Sequence, residues 1–216
     1  MSESSAPIVA AQLPPAERVA DPALLVVDMQ NDFVRAGAPL EVPDARATIP
    51  AQQRLLERFR AQGLPIVYTR FLSYEADNLL WLWSPQCHPD SRACWPGHLR
   101  SYVDADGLLD CAAVIDELAP APNDLVVDKY GYGAFHGTDL DDHLRANDVG
   151  SLVVTGTVTQ ICVEESAREA FHHGYRTTVV VDAVSSYVPD LHAATLKNFA
   201  LKFGWVADTD TVLTWL

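Results

Sequence analysis

Five short apolar runs, each closed by a polar or charged residue, alternate along this chain with stretches of helical periodicity. They are Ala23–Asp28 (Ala-Leu-Leu-Val-Val-Asp), Leu64–Arg70, Asp124–Lys129 (Asp-Leu-Val-Val-Asp-Lys), Leu152–Thr155 and Thr177–Asp182. Runs without polar alternation read as strands covered on both faces, the situation of a parallel sheet flanked by helices. Between the first two runs, Ile49, Leu55, Leu56 and Phe59 space a helix over Asp44–Gln62, closed by Gly63. Further helices are expected at Cys111–Leu118, from Thr138 through Ala146, from an N-cap at Thr159 onward, and over Pro189–Phe203; a strand and helix then run to Leu216. This order predicts one three-layer, doubly wound α/β domain with a mostly parallel, roughly six-stranded, Rossmann-like sheet.

With 216 residues, 49% of them hydrophobic, the chain can bury one ordinary core, assigned to residues 22–216. Residues 1–21, rich in Ala, Pro and Ser, read as a flexible arm, loose or laid over a neighbour. The net charge of −14, from 29 acidic and 15 basic residues, argues against nucleic acid and anionic membranes as partners. There is no apolar stretch long enough for a bilayer, and Met1–Arg18 lacks the basic start and apolar core of a signal peptide. A cytoplasmic location is expected, with the four cysteines as free thiols.

The chemistry concentrates in Ser151–Ser166. Gly156 ends a strand, and Val163, Ala167, Ala170 and Phe171 then follow at helical spacing, which places Cys162 in a helix's first turn. Unpaired N–H groups and the positive end of the helix dipole push a thiol there toward thiolate. The alternative is a small core-filling cysteine. Ligands of open parallel sheets bind outside the carboxyl ends of the strands, where Asp28 and Lys129 also lie. Alone, each is an ordinary cap or a solvated charge. Together they offer a nucleophile (Cys162), a proton carrier (Asp28) and a cation for the thiolate (Lys129). The N–H groups of Val158 and Cys162 are candidates for an oxyanion hole.

Phe71–Leu109 holds three tryptophans and several prolines with little periodicity, a long loop aromatic enough to line a pocket or a subunit contact. Candidate substrate-binding residues are Phe71, Trp81, Trp83 and Trp95 from this loop, with Phe33, Tyr130 and Phe135 from elsewhere. Arg70, Arg92 and Arg100 are candidates for a carboxylate clamp. Cys87, His88, Cys94 and His98 lack the usual spacing of a zinc site, so no metal is expected from them.

Leu-Leu-Val-Val-Asp-Met-Gln-Asn-Asp-Phe (24–33), Val-Val-Asp-Lys-Tyr-Gly-Tyr-Gly-Ala-Phe (126–135) and Gly-Thr-Val-Thr-Gln-Ile-Cys-Val-Glu-Glu-Ser-Ala-Arg-Glu-Ala (156–170) resemble the isochorismatase-like cysteine hydrolases. The resemblance covers the chain from about Ala23 onward. It implies an Asp28, Lys129, Cys162 triad, a cis peptide at Thr157–Val158, and a homodimer or homotetramer. Members that cleave isochorismate's vinyl ether typically lack the cysteine, so its presence implies the branch that hydrolyses amide, carbamoyl or ureido C–N bonds through a covalent intermediate. The Asp-x-His pattern of metal-using nicotinamidases is missing from Thr69–Ser73, which implies neither metal nor cofactor. Val158 stands where the family turn usually carries Ala. Two alternatives remain: a vinyl-ether hydrolase using Asp28 as acid, and a catalytically silent binding module.

Overall fold

A computed structural model of the protein describes residues 13–75 and 79–216. In chain order the elements are α1 (Pro15–Arg18), β1 (Pro22–Val27), α2 (Asn31–Val34), α3 (Ala45–Gln62), β2 (Ile66–Phe71), α4 (Leu80–Trp83), β3 (Leu99–Arg100) and β4 (Leu109–Asp110). They continue with β5 (Leu125–Lys129), α5 (Leu140–Ala146), β6 (Ser151–Thr157), α6 (Glu164–His172), β7 (Arg176–Ser185), α7 (Pro189–Lys202), β8 (Trp205–Ala207) and α8 (Thr209–Trp215).

Six strands form one parallel sheet in the order β5-β2-β1-β6-β7-β8, as the apolar runs predict. β1 lies inside it and is buried at every residue. Because successive side chains alternate, Leu24 and Val26 enter one core with Leu55, Phe59 and Tyr68. Ala23, Leu25 and Val27 enter the other with Val154, Ala167 and Phe199. α3 covers the first face and α6 and α7 the second, giving three layers. The strand order reverses direction at β1/β6, and there the carboxyl ends of adjacent strands leave a crevice.

Three expectations change. Cys111–Leu118 is not a helix; only Asp116–Leu118 makes a 3₁₀ turn. Long-range backbone bonds instead hold the preceding residues, a turn and a bend followed by a bridge at Val114, over the exit of β1: Asn31 N–H donates to Ala113 O (2.9 Å), Asp32 N–H to Cys111 O (3.1 Å) and Ile115 N–H to Met29 O (2.9 Å). The loop after β2 contains α4 and the antiparallel β3/β4 pair. Of the arm expected at 1–21, residues 1–12 lie outside the described residues. From Leu13 it is laid on the chain's own C-terminal elements: the Arg18 guanidinium sits 5.0 Å from the Trp215 ring and 5.7 Å from that of Trp205.

The β1/β6 junction depends on a glycine. Gly156 has φ +109°, and a Cβ there would lie 2.0 Å from Val27 O and 2.6 Å from Val27 N. Gly63 has φ +66° but open space around it. Gly156→Ala should therefore cost about 2–5 kcal/mol or prevent folding, because strain and a backbone collision add. Gly63→Ala should cost only about 1–2 kcal/mol, from conformation alone. Urea unfolding of the two variants checks this, and equal losses would show that the β1/β6 approach is not tight.

Candidate active site

Asp28, the first residue beyond β1, turns into the left-handed region (φ 50°), which a non-glycine residue rarely adopts. Its carboxylate thereby stays under the sheet's carboxyl edge, with no exposure to solvent. Oδ1 accepts the Thr69 hydroxyl proton at 2.6 Å, and Oδ2 lies 2.8 Å from Lys129 Nζ. Register explains the meeting: Val27 is level with Thr69 on β2, and Phe71, two residues on, is level with Lys129 on β5. Lys129 is equally buried. Its Nζ also donates to Gly131 O (3.1 Å) and Tyr132 O (2.9 Å), and lies 5.4 Å from the centre of the Phe71 ring.

Cys162 approaches from β6. The Thr157–Val158 peptide is cis, as the motif implies, and Thr159–Val163 makes a turn of π-helix before α6 begins. The Ser166 hydroxyl donates to Cys162 O (2.6 Å) and accepts from Ala134 N–H (3.0 Å), which ties the nucleophile's turn to the loop after Lys129. That loop presses so close to α6 that a Cβ on Gly133 would fall 2.3 Å from Glu169 Oε2. The thiol interacts electrostatically with both Asp28 and Lys129. Burial pushes it well above its ordinary range; the Lys129 charge opposes this and the Asp28 charge adds to it. Burial also works against the Lys129 charge, but Asp28 and Cys162 outweigh it and hold the ammonium above its usual range. Desolvation thus works against the thiolate that a helix tip alone would favour.

A cavity of about 290 Å³ opens above Cys162. Val158 and Ile161 flank the sulfur, and Phe33, Phe71 and Tyr132 form walls. Leu40, Trp83 and Tyr187 stand at the mouth with Glu41, Ser84 and Gln86. A hollow of about 480 Å³ near Arg60, Asp124 and His143 has none of the three groups. Among the described residues, no cluster of three or more His, Cys, Asp or Glu side chains is placed to hold a metal ion.

A family model, the isochorismatase domain, matches residues 22–211. The chain belongs to the isochorismatase family. This isochorismatase-family chain is 34% identical over 196 residues to the ureidoacrylate amidohydrolase RutB of Agrobacterium fabrum, covering 86% of this chain and 85% of that one. Among solved structures, a cysteine hydrolase from Pseudomonas syringae pv. phaseolicola superposes with a TM-score of 0.80 at 26% identity, over 98% of this chain and all of the other. The N-carbamoylsarcosine amidase of Thermoplasma acidophilum gives 0.72 at 33% identity, covering 88% of this chain and 96% of that one.

Of the pocket residues expected from sequence, Phe33, Phe71 and Trp83 line the family chain's cavity, and Trp81, Trp95, Tyr130 and Phe135 do not. Trp81 packs edge-on against His88, and Trp95 donates its indole N–H to Cys87 O (2.9 Å). Tyr130 is half exposed against Tyr74, and Phe135 stacks on His173 in the second core. None of the three candidate clamps reaches the cavity. Arg70 pairs with Asp128, Arg92 bonds Pro89 O, and Arg100 pairs with Asp32. Cys87 and Cys94 are buried apolar fillers, and His88 faces Asp90. Thr159 is not an N-cap; its hydroxyl donates to Ser185 O (2.9 Å) and lies 2.9 Å from His192 Nδ1.

Three positioning residues escaped the sequence reading. Thr69 orients Asp28. Gln30 bonds Phe71 O, Phe71 N–H and Ala112 O. Asp32 accepts from Cys94 N–H, Arg100 and Tyr102. The only signal for Gln30 and Asp32 was polar residues at alternate positions beyond a buried strand. Because burial raises the thiol, alkylation of Cys162 by iodoacetamide should keep climbing with pH past ~8.5, the ordinary thiol value, without levelling off. Lys129→Met should slow it further at every pH. Peptide mass spectrometry reads both rates, and a plateau below pH 8 would mean that the thiolate is already formed.

Proposed function

We propose that this chain hydrolyses a ureido or carbamoyl C–N bond of a small molecule through a covalent intermediate on Cys162. The proposal rests on one observation: a fully buried Asp28–Lys129 ion pair meets the Cys162 thiol at the floor of an aromatic cavity. Ureidoacrylate and N-carbamoylsarcosine, the compounds in the relatives' names, share a carbonyl held between two nitrogens, and that feature is carried over here.

The burial of the thiol and the donor character of Lys129 assign the roles. A neutral thiol is a poor nucleophile, so its proton must leave as sulfur bonds to the carbonyl carbon. Lys129, a charged donor, has no lone pair to take it. Asp28 does, and its Oδ2 accepts no aligned hydrogen bond among the described residues. The N–H groups of Val158 and Cys162 receive the developing oxyanion. Asp28 then returns the proton to the leaving nitrogen, the C–N bond breaks, and ammonia departs from a carbamoyl-thioester. Water, deprotonated by Asp28, attacks that carbonyl. The C–S bond breaks, the proton returns to sulfur, and a carbamate is released. Lys129 stays charged throughout, stabilising the transient thiolate and fixing Asp28.

Four free thiols fit a reducing cytoplasm. Exposed Leu79, Leu82 and Trp83 beside the mouth fit coverage by a second copy in a homodimer or homotetramer, which sedimentation measures.

Ammonia release from a panel of ureas, carbamoyl amines and primary amides tests the activity. Cys162→Ala should be inactive, and Asp28→Asn should lower single-turnover acylation by about 10²–10⁴-fold. The Asn deficit should shrink for an activated ester, whose leaving group needs no proton. Turnover of isochorismate alone, surviving in Cys162→Ala, would establish the vinyl-ether alternative.

A further inference from the structure

The cavity above Cys162 is poor in positive charge. Lys129 lies beneath its floor, fully buried and occupied by Asp28 and two backbone carbonyls. Among the described residues no guanidinium lines the cavity, and four arginines of the surrounding loops and helices are committed elsewhere. Arg35 forks onto Glu117 (2.7 Å to each oxygen), and Arg70 forks onto Asp128 (2.7 and 2.8 Å). Arg100 reaches Asp32 and Ser91 O, while Arg46 bonds Glu41 and Val34 O.

Among the described residues, the one charged side chain lining the cavity is Glu41. Its Oε1 accepts from Arg46 (2.8 Å) and its Oε2 from Gly37 N–H (2.8 Å). The Arg46 hydrogen bond holds this carboxyl below the usual range, so it is ionised at neutral pH. The remaining surface is aromatic and aliphatic, relieved by the neutral groups of Ser84, Gln86 and two tyrosines. A substrate carboxylate would lose its water here, face Glu41, and find no uncommitted cation among the described residues, since Arg46 already bonds Glu41 and Val34 O. Unpaired buried charge and like-charge contact are the two costs that reject a ligand most strongly.

We infer that the non-reacting part of the substrate is uncharged and apolar, about the size of a single ring, and that carboxylate-bearing ureas are rejected. This rests on the proposed attack by Cys162 on a ureido or carbamoyl carbon. The carboxylate present in ureidoacrylate and N-carbamoylsarcosine is the feature not carried over. A volume of about 290 Å³ suits one ring plus the reacting group.

The test compares benzylurea with its para-carboxylate and its para-aminomethyl analogue, scored as kcat/KM for ammonia release by the full chain. The carboxylate should be worse than benzylurea by about tenfold or more. The aminomethyl analogue should fall between them, because its ammonium gains Glu41 as a counter-charge but still loses water to apolar walls. Glu41→Gln should narrow the carboxylate's deficit, and Gln86→Arg, which places a cation at the mouth, should narrow it further. A carboxylate hydrolysed as well as or better than benzylurea overturns the inference. If no urea and no matching amide is hydrolysed, the proposed activity itself falls. Calorimetry of the same three probes on Cys162→Ala then decides the pocket's preference without turnover. Tighter binding of benzylurea upholds the inference; tighter binding of the carboxylate, or binding of none, removes it.

Discussion

The Asp28–Lys129 ion pair is the interaction on which the site depends, and it sits where ion pairs are least favourable. Both side chains are completely buried, so each charge has lost its water. Their mutual attraction at 2.8 Å repays this only because the remaining valences are filled. Thr69 supplies a donor to the carboxylate, and the carbonyls of Gly131 and Tyr132 accept from the ammonium. Removing either partner outright would strand a charge at a cost of about 3–5 kcal/mol. Substitutions that keep size while changing charge are therefore the ones that separate chemistry from folding. The same burial raises the thiol, so the pair and the nucleophile form one electrostatic unit rather than an acid, a base and a sulfur that happen to be near.

The parallel sheet makes this arrangement inexpensive in chain length. Strands β5, β2, β1 and β6 end on one edge, and side chains just at or past those ends converge without any dedicated scaffold. The apolar strand interiors exclude water from below, and the turn leading into α6 brings the sulfur from the side. Function and folding thus draw on the same feature: strands apolar enough to be buried on both faces carry charge only where they stop.

That economy explains what was legible in the sequence. Asp28, Lys129 and Cys162 stood out because each follows or closes a short apolar run, and local patterning locates such ends well. The six-stranded parallel sheet followed from the same runs. The walls were harder. Trp81 and Trp83 are two residues apart in α4, yet one packs against His88 and the other reaches the cavity. Their loop's path is set by contacts far away in sequence, such as the bond from Trp95 to Cys87 O and those from the loop to Asp32. The Cys111–Leu118 segment failed for the same reason: its backbone partners lie some eighty residues earlier in the chain, at Met29 to Asp32. The thiol's protonation was unreadable because dipole and cation favour the anion, burial opposes it, and only depth decides between them.

Asp28, Gln30 and Asp32 leave β1 at alternate positions, and each anchors something different. Asp28 holds Lys129, Gln30 fastens Phe71 and the 112 backbone, and Asp32 fastens the 94–102 segment. The proposed proton carrier and the supports of the pocket wall are therefore a few bonds apart on one stretch of backbone. A thermal displacement of that stretch carries both along together, so alignment between reacting carbonyl and acid is preserved to first order. The exposed residues around Trp83 and Gln86 lack that shared mounting. Substrate preference can drift there through successive substitutions while the chemistry beneath stays in tune.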